Sequence, residues 1–416
     1  MTRLRSRAHR RGAGFTLVEL MVALTGGLFV SIAVFALARD SGRFYQREAR
    51  IANATVGGLL GFERLRTDLA RAGFLASPNV MRDGRLCGAP QASWPAALRN
   101  LASIQVTQPA VAFPALAANL RTPPSIILAG SYASADLFSV RVRKAGATTV
   151  FELEGNQPAL LRLGNTANPD DATMQSVFAT GRALRIVQNG RQYYGQIQAA
   201  QGGPTPSVTI GAAPAIQFRS GSPDCGLGEG LGSGASMATV NVVNFIQYQL
   251  GTPQTPQGIA NYQDLYTSSS AAPGEAGRTE LMRSELALSG APIDGTEEIV
   301  AEYAVDLDLQ LTAVTAISAN GVDPTNVQII AATNALFPTF AGPVFGTGNT
   351  PERIRSVRVR LGVRSREGDR TLGIGTPSQA QGLFRFNLST GDDEPFARVR
   401  TFQADVALHN QTDVLW

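Results

Sequence analysis

Only two histidines and two cysteines occur among 416 residues, and Lys144 is the single lysine among 36 basic residues. His9 falls in the first residues, and His409 falls in an alternating, strand-like run beside Asn410. A Ser-His-Asp or Cys-His arrangement would have to recruit His409, for which a surface or edge position is the simpler reading. No H-E-x-x-H, G-x-S-x-G or C-x-x-C pattern is present, so the usual zinc, nucleophile and redox motifs are missing. One lysine leaves few options for Schiff-base or phosphate-binding chemistry.

Glycine-rich GLGEGLGSG (226–234) has neither the G-K-[S/T] ending of a P-loop nor G-x-G-x-x-G spacing, and reads as a loop beside Cys225. The acidic clusters Asp170/Asp171, Asp306/Asp308 and Asp392/Asp393/Glu394 could offer oxygens to Ca²⁺, but none reproduces the EF-hand pattern. They read as solvated acids, with Asp306 and Asp308 alternating onto one polar strand face. No cofactor, metal site or catalytic residue is expected.

Charge of one sign is also scarce once the N-terminus is set aside. The formal charge is +4, but Arg3, Arg5, Arg7, Arg10 and Arg11 all precede residue 15. Without them 31 basic residues face 32 acidic ones, and the body gives no electrostatic reason to bind nucleic acid. The 43 glycines and 23 prolines point to many turns and a β-rich body.

What the chain does have is a long apolar run. FTLVELMVALTGGLFVSIAVFALA, Phe15 to Ala38, contains a single ionisable residue, Glu19. It is long enough to cross a bilayer and too long for the core of a cleaved secretory peptide, and no Ala-x-Ala site ends it. The leader arginines are nearly matched by Arg39, Arg43, Arg47 and Arg50 after the span, so charge alone barely orients it. The acid-free leader and the large domain downstream favour a cytoplasmic leader and an exported body. In an exported body Cys87 and Cys225 read as a disulfide, with two buried thiols as the alternative.

Beyond the span, Phe44, Ile51, Val56, Leu59, Phe62, Leu65, Leu69 and Ala72 keep roughly one helical face. One helix from Phe15 to about Ala72 would run roughly 85 Å, with Gly42, Gly57 and Gly58 as possible bends. From Ser77 onward strands are expected at 125–128, 136–143, 148–153, 182–187, 191–198, 238–250 and 278–288, separated by glycine- and proline-rich connectors.

The stretch Gly14-Phe15-Thr16-Leu17-Val18-Glu19-Leu20 after a short basic leader resembles the class III signal of type IV prepilins and type II secretion pseudopilins. TDLARAGF (67–74), GTEEIVAEYAVDLDLQL (295–311), PERIRSVRVRLGVRSRE (351–367) and RVRTFQADVALHNQ (398–411) resemble the PilW branch of minor pilins. His409 stands where many relatives carry a basic residue. The resemblance implies cleavage by a prepilin peptidase after Gly14 and methylation of Phe15. It also implies a charge pair between Glu19 and the Phe15 amine of a neighbouring subunit during assembly.

The expected architecture is α+β and pilin-like, a long N-terminal helix packed on an antiparallel β-rich domain. Residues 1–14 would be the leader, 15–38 the membrane helix, 39–75 its amphipathic continuation and 76–416 the globular domain, with a loop-rich insertion around 200–278. The 295–311 segment would be an acidic helix leading into a strand, and 351–367 a short helix and a strand. The resemblance implies a non-catalytic minor pilin of the bacterial inner membrane, single-pass with a periplasmic domain and later part of an extracellular pilus. Its implied partners are other minor pilins, the major pilin and a large tip adhesin. Rival readings are a minor pseudopilin of type II secretion, a tip adhesin binding ligand or Ca²⁺ through the middle region, and an anchored enzyme.

Overall fold

The computed structural model describes residues 15–107, 116–117, 119–146, 148–164, 168–216, 218, 225–228, 237–252, 278–316, 326–345, 348–366, 368, 385–388 and 396–412. Two compact units divide the chain, Met1–Asn53 and Ala54–Trp416.

A long apolar N-terminal helix is followed by an antiparallel β-rich domain. Helix α1, Leu17–Ala70, contributes to both units. It continues through Gly42, Gly57 and Gly58, so none of these interrupts it. In the first unit its apolar residues, from Leu17 to Leu37, are exposed, and the helix is long and apolar enough to cross a membrane. The helix ends at Ala70, five residues short of the expected limit, and turns follow.

In the second unit the buried face of α1 consists of Gly58, Gly61, Phe62, Leu65, Asp68 and Leu69. Val56 and Leu59, expected on that face, are exposed. Hydropathy misses the reason, because the closest contacts fall on glycines. A Cβ at Gly58 would stand 2.6 Å from the Phe402 ring, and one at Gly61 would stand 2.4 Å from the Val300 carbonyl oxygen. Two glycines three residues apart thus let the backbone of α1 lie against the strands.

Fifteen strands are present among the described residues: β1 Ile104–Thr107, β2 Ser125–Gly130, β3 Phe138–Ala145, β4 Thr148–Leu153, β5 Ala183–Gln188, β6 Arg191–Gln201, β7 Ser207–Ile210, β8 Met237–Gly251, β9 Glu280–Leu286, β10 Glu298–Ala301, β11 Ala304–Val314, β12 Val327–Ala331, β13 Ile354–Arg364, β14 Arg385–Asn387 and β15 Phe396–Ala407. Short helices α2 Ala96–Arg99, α3 Pro158–Gly164, α4 Asp171–Val177 and α5 Phe337–Ala341 lie between them.

The order β8-β3-β4-β7-β6-β5 closes back onto β8, all pairs antiparallel, and so forms a six-stranded barrel. Phe138, Val140, Phe151, Leu184, Ile197 and Val240 belong to its packed core, together with Met174 and Phe178 from α4 and the residue after it. Beyond Val243 the same β8 leaves the barrel and pairs with β2 on one side and β9 on the other, with β1 and β10 at the margins. A second sheet runs β12-β11-β13-β15-β14.

Period-two alternation explains how β8 serves both layers. Ala238, Val240 and Val242 point into the barrel core, and Ile246, Tyr248 and Leu250 point into the core that holds Phe62, Leu65 and Leu69. Val243 and Phe245, of opposite parity, join a third cluster with Val80, Leu98, Leu101 and Tyr194. The second sheet contributes Leu307, Leu309, Leu311, Val357, Val359 and Leu361 to the helix core.

Two expectations need correction here. The acidic segment from 295 holds strand β10 rather than a helix, because Glu298 to Ala301 completes the ladder on β9 and Tyr303, at φ +54°, turns the chain into β11. The interval 200–278 is not a single insertion, since it contains β7 and β8, and β8 is the strand common to barrel and sheet; residues 219–224, 229–236 and 253–277 lie outside the described residues. By contrast, residues 351–364 of the 351–367 segment form the expected short helix, a 3-10 turn at Pro351–Arg353, followed by β13.

Candidate functional site

The first candidate lies at the start of α1. Glu19 Oε2 accepts from the Thr16 backbone N–H (3.0 Å) and from the Thr16 hydroxyl (3.0 Å), while the Thr16 hydroxyl oxygen accepts from the Glu19 N–H (3.2 Å). This is a capping box, an N-cap threonine and a glutamate three residues on, satisfying backbone donors that the first helical turn leaves open. Thr16-x-x-Glu19 was readable as such from sequence alone. It gives Glu19 an intramolecular partner in addition to any intermolecular one. Phe15 is highly exposed; Gly14, the expected cleavage residue, lies outside the described residues, as does His9.

A second candidate lies at the end of α1, within the globular unit. Asp68 Oδ2 accepts from the Tyr248 hydroxyl and from Arg283 Nε, both at 2.8 Å, and the Asp68 carbonyl accepts from the Tyr132 hydroxyl at 2.8 Å. Burial, reinforced by the Asp68 charge, pushes both phenols upward in pKa, so they stay protonated donors. Arg71 Nη2 donates to the Ser131 carbonyl (2.7 Å) with its guanidinium 5.3 Å from the Tyr132 ring centroid. Gly73, at φ +76°, donates its N–H to Ala129 (2.8 Å), and a Cβ there would meet the Ser103 hydroxyl. Asn410 Nδ2 donates to the Ala72 carbonyl (3.0 Å). Asp68 thus ties the helix end to β8 and β9, Arg71 ties the turn after it to the loop that follows β2, and Asn410 ties it to the C-terminal turn. No motif in the sequence assigns Asp68 a role, but its position three residues after Leu65 and beside Leu69 marks it as facing the core.

Cys87 and Cys225 are disulfide-bonded, with Cα atoms 5.4 Å apart. The Cys87 N–H donates to the Gln192 carbonyl on β6 (3.0 Å), so the bridge joins the 76–103 segment, the barrel and the chain leading to β8.

Other sequence candidates resolve into local structural roles. Asp170 is the N-cap of α4, accepting from the Thr173 N–H (2.8 Å); hydrogen bonds from the Thr173 side chain and backbone lower its pKa. Asp171 accepts from the Gly202 N–H (2.7 Å). Asp306 and Asp308 do share a face, both bound by Arg360 at 2.8 and 3.2 Å, but Asp306 is buried and also faces Arg121 at 3.5 Å. It is an ion-pair member, not a solvated acid. Asp392, Asp393 and Glu394 lie outside the described residues, as do residues 229–234 of the glycine-rich stretch, whose Leu227 is buried in the barrel core. His409 is exposed in a 3-10 turn just past β15 rather than in the strand. No group of three or more His, Cys, Asp or Glu poised for a metal exists among the described residues.

Two buried ion pairs carry further electrostatic weight. Arg182 grips Glu285 with two bonds of 2.7 and 2.8 Å, and Asn244 donates to the same carboxylate. Glu280, paired with Arg278 and accepting the Tyr303 N–H (2.8 Å), is raised to about 7 by burial, which outweighs the Arg278 charge. Near one end of the barrel lies an open polar cleft of about 630 Å³, lined by Arg141, Glu152, Glu154, Asn156, Gln157 and Thr205 among others.

No protein-family model, curated protein or solved structure matches the chain. Fold and site define, among the described residues, a chain with one helix long and apolar enough to cross a membrane and a disulfide-linked, antiparallel β-rich domain.

Proposed function

We propose that the chain is a non-catalytic minor pilin of the PilW type, cleaved by a prepilin peptidase between Gly14 and Phe15 and helping to initiate or cap a type IV pilus. One observation carries the reading: helix α1 begins at Leu17, two residues past the Phe15 of the prepilin-like motif, and runs unbroken from the apolar segment into the globular unit. Cleavage at that point would leave the span intact and expose an amine four residues from Glu19. In the bilayer the helix is held by its apolar face; in a filament the same face packs laterally on other pilin helices. Glu19, held in place by its Thr16 cap, then pairs with the amine of a neighbouring subunit, and the β domain selects among minor pilins, the major pilin and a tip adhesin.

Mass spectrometry of the mature chain tests this. The expected N-terminus is methylated Phe15, and a chain beginning elsewhere removes the proposal. Deletion should abolish piliation and twitching with secretion intact; lost secretion with normal pili would instead make the chain a minor pseudopilin. A second reading, ligand binding at a pilus tip, draws support from the polar cleft beside the barrel. Normal piliation with loss of surface adhesion after substitutions lining that cleft would favour it.

A further inference from the structure

In the unit Met1–Asn53, Glu19 is the only ionisable residue of α1 before Arg39. Those two positions are twenty residues apart, about 30 Å at 1.5 Å per residue, which equals the usual hydrocarbon thickness of a bilayer, about 30 Å. With Glu19 and its Thr16 cap at one interface, Arg39 reaches the other. The next residues have the composition of an interface. Arg43 lies one turn beyond Arg39 and about 40° around the helix, so both share a face, and Asp40, about 100° from Arg39 and about 60° from Arg43, lies at its edge. Arg39 and Arg43 are exposed, and Phe44 and Tyr45 are 61% and 75% exposed. Aromatic rings left in water gain nothing, but at headgroup depth they are covered, and guanidinium forks match phosphate oxygens.

We propose that Arg39, Arg43, Phe44 and Tyr45 form a headgroup belt that binds the phosphates of anionic phospholipids at the C-terminal end of the span. This rests on reading Phe15–Ala38 as membrane-spanning. The belt fixes how deep the helix sits, places Glu19 at the opposite interface rather than in the midplane, and must be released when a subunit leaves the bilayer. Charge complementarity and continuity with the apolar span select lipid as the occupant.

The test uses full-length protein in detergent and native mass spectrometry with added phosphatidylglycerol or phosphatidylcholine, together with flotation after reconstitution into vesicles of either lipid. The expected result is tighter phosphatidylglycerol binding, weakened about fivefold per arginine and about 25-fold in R39Q/R43Q, on the scale usual for basic residues at an anionic surface. R39K/R43K should keep most of the preference, and helix content by circular dichroism should not change. Equal binding of the two lipids by the unsubstituted protein, or R39Q/R43Q binding phosphatidylglycerol undiminished, overturns the belt while flotation upholds the span. Failure to float with either vesicle overturns the span and the belt together. If R39Q/R43Q leaves lipid binding unchanged and instead blocks co-assembly, these positions serve an acidic protein partner and the lipid assignment is wrong.

Discussion

Replacing Asp68 with alanine isolates the lock at the end of α1. The substitution removes the acceptor of two 2.8 Å bonds, from Tyr248 and Arg283. Arg283 is largely buried, and its other carboxylate, Glu298, lies 3.8 Å away and half-exposed. Breaking a buried pair by removing one partner costs about 3–5 kcal/mol, and the orphaned phenol adds about 1 kcal/mol. Because Glu298 still screens Arg283 in part, the expected loss is about 3–4 kcal/mol. Chemical denaturation of the full chain in detergent reads this as a lower midpoint at unchanged slope. Asp68→Asn keeps an acceptor for Tyr248 but not the charge, and should cost about 2 kcal/mol, while Tyr248→Phe alone should cost about 1 kcal/mol. A cycle of Asp68→Ala with Arg283→Met should give a coupling of at least about 1 kcal/mol. An Asp68→Ala loss below about 1 kcal/mol, or strict additivity in that cycle, would show that Asp68 does not lock the helix end.

Four further outcomes are expected. Glu19→Ala should reduce filament incorporation, and Thr16→Ala, which leaves the Glu19 charge in place, should reduce it too by loosening a cap worth about 0.5–2 kcal/mol; full incorporation of Thr16→Ala would mean that only the charge matters. Cys87→Ser with Cys225→Ser should destabilise the globular unit by about 5 kcal/mol in the chain-entropy model for so long a loop, and a change under about 1 kcal/mol by denaturant titration contradicts it. Gly61→Ala drives a methyl into the Val300 carbonyl and should lose at least about 2 kcal/mol; a thermal midpoint equal to that of the unsubstituted chain refutes the close approach. Burial raises the folded pKa of Glu280 to about 7 from its ordinary 4.5, so the folded state holds the extra proton between those values. Stability from this group is therefore greatest at low pH and falls as pH rises from 4.5 to 7, by at most about 3 kcal/mol. Glu280→Gln should flatten that slope, and an identical pH profile would exclude Glu280 as its source.

Strand positions were largely legible, and for a physical reason. β4 matches its expected limits, and β2, β3, β5, β6, β8 and β9 overlap theirs, because each alternates or carries β-branched residues against a buried layer. The barrel was not legible, since ring closure depends on β5 and β3 flanking the same half of β8, and such pairing leaves no local trace. At 298–301 the family resemblance implied a helix, and pairing with β9 makes the segment a strand instead. Glu19 was singled out as a charge, yet its nearest role, capping with Thr16, lay three residues away in the same motif. The lock at Asp68 escaped because its partners, Tyr248 and Arg283, lie 180 and 215 residues downstream.

The ring of Phe62 stacks on Phe402 at 6.0 Å, and this contact joins positions 340 residues apart in the chain. The glycines of α1 that admit β10 and β15 close comparably long loops. Loop closure over such distances must precede the contacts that reward it, which slows folding. The apolar face of α1 is therefore only partly covered until β15 exists, and until then Phe62, whose ring stacks on Phe402, is an aggregation hazard on a nascent chain. Folding of the globular unit is set by its last long strand, so truncation before Phe396 should leave a chain that chaperones hold and proteases clear.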